Sequence, residues 1–355
     1  MPGSLLALAE DLLRIPSPTG QEDAIGEFLA RRLAALSPHA LLRAGANLLV
    51  VPRAPRPGGR RILLLGHTDT VPALGENPVR REGDRLHGLG ASDMKAALAL
   101  MVGLVERSLR VAPRHDLIFG FYAAEEGPYA GSGLPLLRAA AEEWFAGVDL
   151  AVCLEPTDNA IELGCLGNVH ARVHFTGRRA HSARPWQGDN AIHKAGGLLQ
   201  RLGTRAPVDH RFGPLLYREV MSATMVEYRG ARNVVPDLCT VNVNYRFAPG
   251  KDEAQVRHDL DGVVAGEAGY ELVDFCPAGR VAAGNPLVEE LRAAAGGAEF
   301  RAKQAWTDVG RLSAWGIDAV NFGPGLTAQA HQAGEYASIA ELGRAWAALL
   351  RWLHP

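Results

Sequence analysis

Four short apolar runs, each breaking off into ionisable or glycine-rich residues, constrain this chain more than any other feature. Arg61 to Leu65 ends in Gly66-His67-Thr68-Asp69, Leu117 to Ala124 in Glu125-Glu126-Gly127, Leu150 to Leu154 in Glu155-Pro156, and Ile317 to Phe322 in Gly323-Pro324-Gly325. Runs of this length bounded by breakers read as buried strands. Helical patterns lie between them, from Met94 to Leu109 and from Leu134 to Glu143. Strands alternating with helices predict an α/β fold with a mainly parallel sheet flanked by helices. Ligands of such sheets bind beyond the carboxyl ends of the strands, and every ionisable cluster named above lies at that end.

The stretch from about Gly167 to Arg280 follows another rule. His170 to Gly177 and Leu238 to Phe247 alternate strictly, as strands with one solvated face do, and a helical pattern from Asn190 to Leu202 separates them. The strand and helix pattern of the first part resumes near Asn285. The chain therefore reads as a discontinuous domain, residues 1–166 and 281–355, with a smaller α+β domain, residues 167–280, inserted in it. A length of 355 residues suits two domains. Helices are also predicted from Ser4 onward and from Gln21 to Leu36, separated by the breaker Pro16 to Gly20, and Arg53 to Gly59 reads as a loop.

Charge narrows the choice of partner. A net charge of −2 with both signs interspersed gives no footprint for nucleic acid, leaving a small molecule as the expected partner. The most apolar run, Ala96 to Val105, is about half the roughly 20 residues that a bilayer requires, so no membrane span is expected. The four cysteines are widely spaced without a CxxC pair, which fits a reducing cytoplasm. The N-terminal segment has acidic residues where a secretory leader needs basic ones, and reads instead as the first helix.

The strand ends carry the chemistry. In His67-x-Asp69 both side chains leave the pleat on one side, so the carboxylate can fix an imidazole that ligates a metal, although a polar loop after a strand has the same appearance. Asp93 occupies a glycine-rich loop, Gly88 to Lys95, that enters a helix. Such a loop can cradle a phosphate, but the Gly-Lys-Ser/Thr ending and the third dinucleotide glycine are absent; a carboxylate there can instead bridge two cations. Glu125 and Glu126 are two like charges after an apolar run, a costly arrangement unless something positive lies beside them. Pointing in different directions, one can ligate while the other remains a base. With Glu155 and the late His331, the set His67, Asp93, Glu126, Glu155 and His331 is a nitrogen and oxygen inventory suited to zinc, or to cobalt or manganese as substitutes. If Asp93 is shared, each of two metals receives one His, one Glu and one Asp oxygen.

Gly66 to Pro72, Gly90 to Lys95, Ala124 to Gly127, Leu154 to Thr157 and His331, in this order, resemble the M20 family of di-zinc peptidases and deacylases. The resemblance implies a zinc-peptidase-like sheet, with His67 and Glu155 on one zinc, Glu126 and His331 on the other, Asp93 on both, Asp69 behind His67 and Glu125 as general base. Arg179 to Trp186, Gly188 to Lys194, Asn233 to Pro236, Asn244 to Pro249, Trp306 to Val309 and Asn321 to Gly325 are similar to desuccinylases of the actinobacterial sort. That similarity implies removal of the succinyl group from N-succinyl-LL-diaminopimelate in lysine biosynthesis. It also implies that the inserted domain is a lid through which the chain forms a homodimer, with His181 reaching the partner subunit's centre and Asn233 as companion donor. Arg184, Arg246 and Arg311 are the expected receptors for substrate carboxylates, with Gly323 beside them. One departure concerns specificity: many desuccinylases have a basic pair entering the lid, where this chain has Gly164-Cys165-Leu166-Gly167. Acetylornithine-type deacetylation, carrier-protein deacylation and carboxypeptidase activity are the rival readings within the family, and a non-catalytic metal-binding protein the rival outside it.

Overall fold

The computed structural model describes residues 2–355. By compactness the chain forms two units: Met1–Gly164 with Arg280–Arg301 and Thr307–Pro355, and Cys165–Gly279 with Ala302–Trp306.

The first unit is built on an eight-stranded sheet whose strands run, in spatial order, Ala40–Ala44, Asn47–Val51, Asp116–Tyr122, Arg61–His67, Leu150–Cys153, Ala319–Asn321, Ile161–Leu163 and Phe300–Ala302. The four central strands are parallel, with Arg61↔Asp116, Ile62↔Leu150 and Ala319↔Ala151 in register. They are the four apolar runs of the sequence, buried on both faces. Antiparallel strands close both sides: Asn47–Val51 pairs with Asp116–Tyr122 and carries the hairpin partner Ala40–Ala44, while Ile161–Leu163 pairs with Ala319–Asn321. The sheet is thus mainly parallel, with antiparallel edges that the sequence pattern did not display.

Helix Ala96–Arg110 is the buried apolar run; every residue from Ala96 to Val105 is buried. Small residues let it approach the sheet closely. A Cβ on Gly66 would stand 2.6 Å from the Leu98 Cδ2 and 2.8 Å from the Met94 Cε, so the strand carrying His67 and the helix that follows Asp93 are in close contact. No described helix is long and apolar enough to cross a membrane.

The second unit is a five-stranded antiparallel sheet in the order Val208–Phe212, Leu215–Glu227, Leu238–Phe247, Gly167–Thr176, Gly269–Cys276. Along Gly167–Thr176 alternate residues are buried, as the period-two pattern requires. Val169, Val173, Val241 and Val243 pack with Leu198 of helix Ala191–Thr204 and Leu260 of helix Glu253–Val264. Both helices start on side-chain caps: Asn190 accepts from the amides of Ile192 and His193, and Asp252 forms a capping box with Gln255.

Candidate metal centre

His67 is the last residue of its strand and is buried. Its Nδ1 lies 3.1 Å from the Asp69 main-chain oxygen and 3.5 Å from the Asp69 carboxylate, and its Nε2 lies 3.1 Å from the Asp93 Oδ1. Asp69, fully buried, does more than face this ring. Its carboxylate accepts from the Glu125 amide at 3.0 Å, the Glu126 amide at 3.1 Å and the Thr19 hydroxyl at 2.9 Å. One acid thus ties the His67 strand end to the glutamate pair at the end of the neighbouring strand. Burial alone would raise Asp69, but hydrogen bonding and the charge of His67, with the two amides, leave its pKa below the usual carboxylate range. Burial pulls His67 down, yet Asp69 and Asp93 together hold it well above its ordinary value.

Asp93 lies in a wide turn, Ala91–Lys95, that opens into helix Ala96–Arg110. Its two carboxylate oxygens face different rings: Oδ1 is 3.1 Å from the His67 Nε2, and Oδ2 is 3.6 Å from the His331 Nε2. The same His331 nitrogen is 2.8 Å from the Glu126 Oε1. The hydrogen bond to Glu126 raises the His331 pKa to about 9, against a smaller opposing effect of burial. Two groups of donors follow, His67 with Asp93 and Glu155, and Asp93 with Glu126 and His331, the ligand atoms of each lying within 4.8 Å of one another. Asp93 is common to both. Glu125 lies beside them, in a further group with His67 and Glu126. Burial, then the charge of Glu155, raises its carboxyl well above the usual range, with Glu126 and Asp308 adding to the shift and His67 opposing it.

Imidazole nitrogens and carboxylate oxygens in two triads that share one acid fit a pair of divalent ions. Four crowded carboxyl groups, those of Asp93, Glu125, Glu126 and Glu155, repel one another without cations, and ions at these positions would offset that repulsion.

The remaining expected residues fall into separate settings. In the second unit, Ala180–His181 pairs with Val234–Val235, placing His181 beside Asn233, whose main-chain oxygen accepts from Ser182 at 2.9 Å. The His181 Nδ1 accepts the Ala183 amide at 3.1 Å, which puts the ring proton on Nε2 and leaves an exposed donor. Arg184 is exposed on the turn that follows. Arg246 donates to the Asn244 Oδ1 at 3.2 Å and lines a cavity of about 460 Å³ with Leu166, Leu216, Arg218, Val220 and Gln304.

Two of the expected substrate contacts have other occupations. Arg311 is only 3% exposed: it donates to the Asp308 Oδ1 at 2.6 Å and to the Tyr129 main-chain oxygen at 2.7 Å, and its guanidinium lies 3.8 Å from the Tyr129 ring centroid. The guanidinium is thus held between Asp308 and Tyr129. Gly323 is buried; its amide donates to the Thr157 hydroxyl, and a Cβ there would stand 2.4 Å from the Glu155 main-chain oxygen. Its smallness allows the loop to close on the strand end that bears Glu155.

Comparison with known proteins agrees with this geometry. The model of peptidase family M20/M25/M40 matches residues 63–354. The chain belongs to that family. A Corynebacterium glutamicum succinyl-diaminopimelate desuccinylase is 35% identical over 356 residues, covering 99% of this chain and 96% of the relative. A Mycobacterium tuberculosis protein with a provisional name of the same kind is 38% identical over 353 residues, covering 99% and 98%. Among solved structures, a dinuclear metal-binding M20 peptidase of Bacillus subtilis shares the fold, with a TM-score of 0.72, 16% identity and coverage of 98% and 96%. This M20 chain is therefore a metal-dependent hydrolase acting on amides, with divalent metal as its cofactor.

Sequence reasoning missed several side chains of this M20 centre. Glu22 accepts from the Ala124 amide at 3.1 Å and Thr19 holds Asp69, so the breaker segment after the first helix braces the glutamate turn. Glu335 accepts from the amides of Gly90, Ser92 and Asp93. Their partners are main-chain amides or distant side chains, which leave no local spacing pattern; only the short distance of Glu335 from His331 could have drawn attention to it.

Proposed function

We propose that this chain hydrolyses the amide of N-succinyl-LL-diaminopimelate, releasing succinate, with two zinc ions as the physiological pair and cobalt or manganese as substitutes. His67, Asp93 and Glu155 would hold one ion and Asp93, Glu126 and His331 the other. The observation that carries the reading is Asp93, whose two oxygens face two different imidazoles. When bound, the ions would polarise the scissile carbonyl and acidify the attacking water.

Glu125 is the proton carrier. Its amide is fixed by Asp69 at 3.0 Å, so its carboxylate is held in place beside the donor triads without belonging to either of those that share Asp93. It takes the proton of the attacking water and returns it to the departing amine nitrogen. His181, with its proton on Nε2, and Asn233 supply neutral donors for the oxygen on which negative charge develops. Arg184 and Arg246 are the receptors for substrate carboxylates, since a guanidinium pairs with a carboxylate through two parallel hydrogen bonds. Residues 1–166 and 281–355 form the catalytic domain and residues 167–280 the lid, through which two chains pair so that His181 serves the partner's centre. The chain acts in the cytoplasm, in diaminopimelate and lysine biosynthesis, the role that its named relatives suggest.

The test is turnover of N-succinyl-LL-diaminopimelate beside N-acetylornithine and dipeptides, after chelation and after zinc readdition. The reading expects zinc-restored activity with the succinyl substrate far ahead. A higher kcat/KM on an N-acetyl substrate or a dipeptide would move the chain to another M20 activity.

A further inference from the structure

We propose that Glu335 is a positioning residue of the metal centre: its carboxyl group is the built-in acceptor of the Gly88–Asp93 turn, and through it the loop bearing His331 and the turn bearing Asp93 are set as one piece. The proposal rests on the reading that Asp93 and His331 hold metal.

The glycine-rich turn has the form of an anion nest, with several main-chain amides converging on one point. Three of them converge on a single carboxylate: the Gly90 amide donates to the Glu335 Oε2 at 2.7 Å, and the Ser92 and Asp93 amides to Oε1 at 2.8 and 3.0 Å. Glu335 is buried, so no water substitutes for these bonds at its surface. The pairing continues on either side. The Gly88 amide donates to the Glu335 main-chain oxygen at 3.1 Å, and the Ser92 hydroxyl donates to the Tyr336 main-chain oxygen at 2.8 Å. Gly90 makes the nest possible: its φ of +81° is left-handed, and a Cβ there would stand 2.8 Å from the Thr70 Cγ2. The place that a phosphate takes in such loops is therefore filled by an acid of the chain itself.

The consequence for the centre is geometric. One of the three donors is the amide of Asp93 itself, a single bond from the Cα that carries the shared ligand. Glu335 also follows His331 by four residues, in the loop that brings that ring to Asp93. Losing the carboxylate leaves three buried amides without an acceptor, and the turn must rearrange. Because Asp93 serves both ions, both should weaken together. A residue that merely supported the His331 loop would affect only the ion held by His331 and Glu126.

The experiment is zinc titration of the metal-free full-length protein by competition with a chelator, for wild type, Glu335→Gln, Gly90→Ala and His331→Ala, with melting temperature recorded for each metal-free form. Glu335→Gln preserves volume but turns one acceptor oxygen into a donor, and is expected to raise both dissociation constants on the order of 10–100-fold. Gly90→Ala, which disturbs the nest from the other side, should do the same, whereas His331→Ala should weaken one ion predominantly. Glu335→Gln constants within about twofold of wild type, or a loss confined to one ion or to the melting temperature, would overturn the proposal. If Glu335→Gln does not fold, Gly90→Ala decides by the same criteria. Wild type that binds fewer than two ions would overturn the reading of the centre itself, an outcome distinct from failure of the clasp.

Discussion

Glu125 and Glu126 are neighbours in sequence with different surroundings. Glu126 faces His331 at 2.8 Å, whereas Glu125 is surrounded by burial and by the charges of Glu155 and Glu126. Glu125→Gln should therefore keep both ions and lower kcat by about 10²–10⁴-fold, measured by steady-state kinetics beside metal analysis. A second titratable group lies away from the centre. His354 is buried beside the Ser108 hydroxyl, and burial, aided by Arg107, lowers its pKa to about 4. Above its ordinary value of 6.5 the ring is neutral in both states and contributes nothing to the pH dependence. Below that value the unfolded chain binds a proton that the folded chain refuses until about pH 4, so stability falls through this window as pH drops. His354→Gln should flatten the fall, seen as a smaller loss in urea midpoint between the two ends of the window. At this scale, His67, Asp93, Glu126 and Glu155 were legible because each follows a strand or glycine signal, whereas His331 entered only through the order of motifs that resembles the family. The Asp308 partner of Arg311 was not legible because a sequence shows a guanidinium but not what holds it, and Glu335 was invisible because its partners are amides.

The elements that position the centre are short strands whose ends are braced by loops. Gly323 shows how tight the bracing is, since a Cβ would meet the main-chain oxygens of Glu155 and Leu154 at 2.4 and 2.5 Å. Backbone cannot yield as a side-chain tip can. Gly323→Ala is expected to destabilise the protein by about 1–3 kcal/mol, and to weaken metal binding as the Glu155 strand end moves, checked by urea unfolding and zinc titration. The central parallel strands were readable because burial on both faces makes them continuous apolar runs, each stopped by a breaker. The edge hairpin Ala40–Ala44 and Asn47–Val51 was not read. Its first strand is only partly buried and shows no clean alternation, and strand pairing rather than sequence pattern defines it. The helix Ala96–Arg110 was legible from its length and apolar density and the turn before it from its glycines, while the closure of that turn by Glu335 was not.

For the whole molecule, the two compact units follow the change of pattern near Gly167, because a parallel core and a half-solvated antiparallel sheet write different periods into the sequence. The small return of Ala302–Trp306 to the second unit is too short to carry a period of its own. The proposed pairing of chains through residues 167–280 gives a mixing test. Glu125→Gln and His181→Ala should each be nearly inactive alone, yet an equal mixture allowed to exchange protomers should recover up to about a quarter of wild-type turnover, since one centre in each mixed dimer is intact. No recovery from protomers shown to exchange would mean that His181 serves its own chain. The most direct test of the central claim is the anomalous difference map of a crystal grown with zinc, recorded above and below the zinc edge. The account predicts two peaks about 3.5–4 Å apart, bridged by Asp93, with His67 and Glu155 on one and Glu126 and His331 on the other. A single peak, or two peaks with Asp93 bound to only one of them, would contradict it.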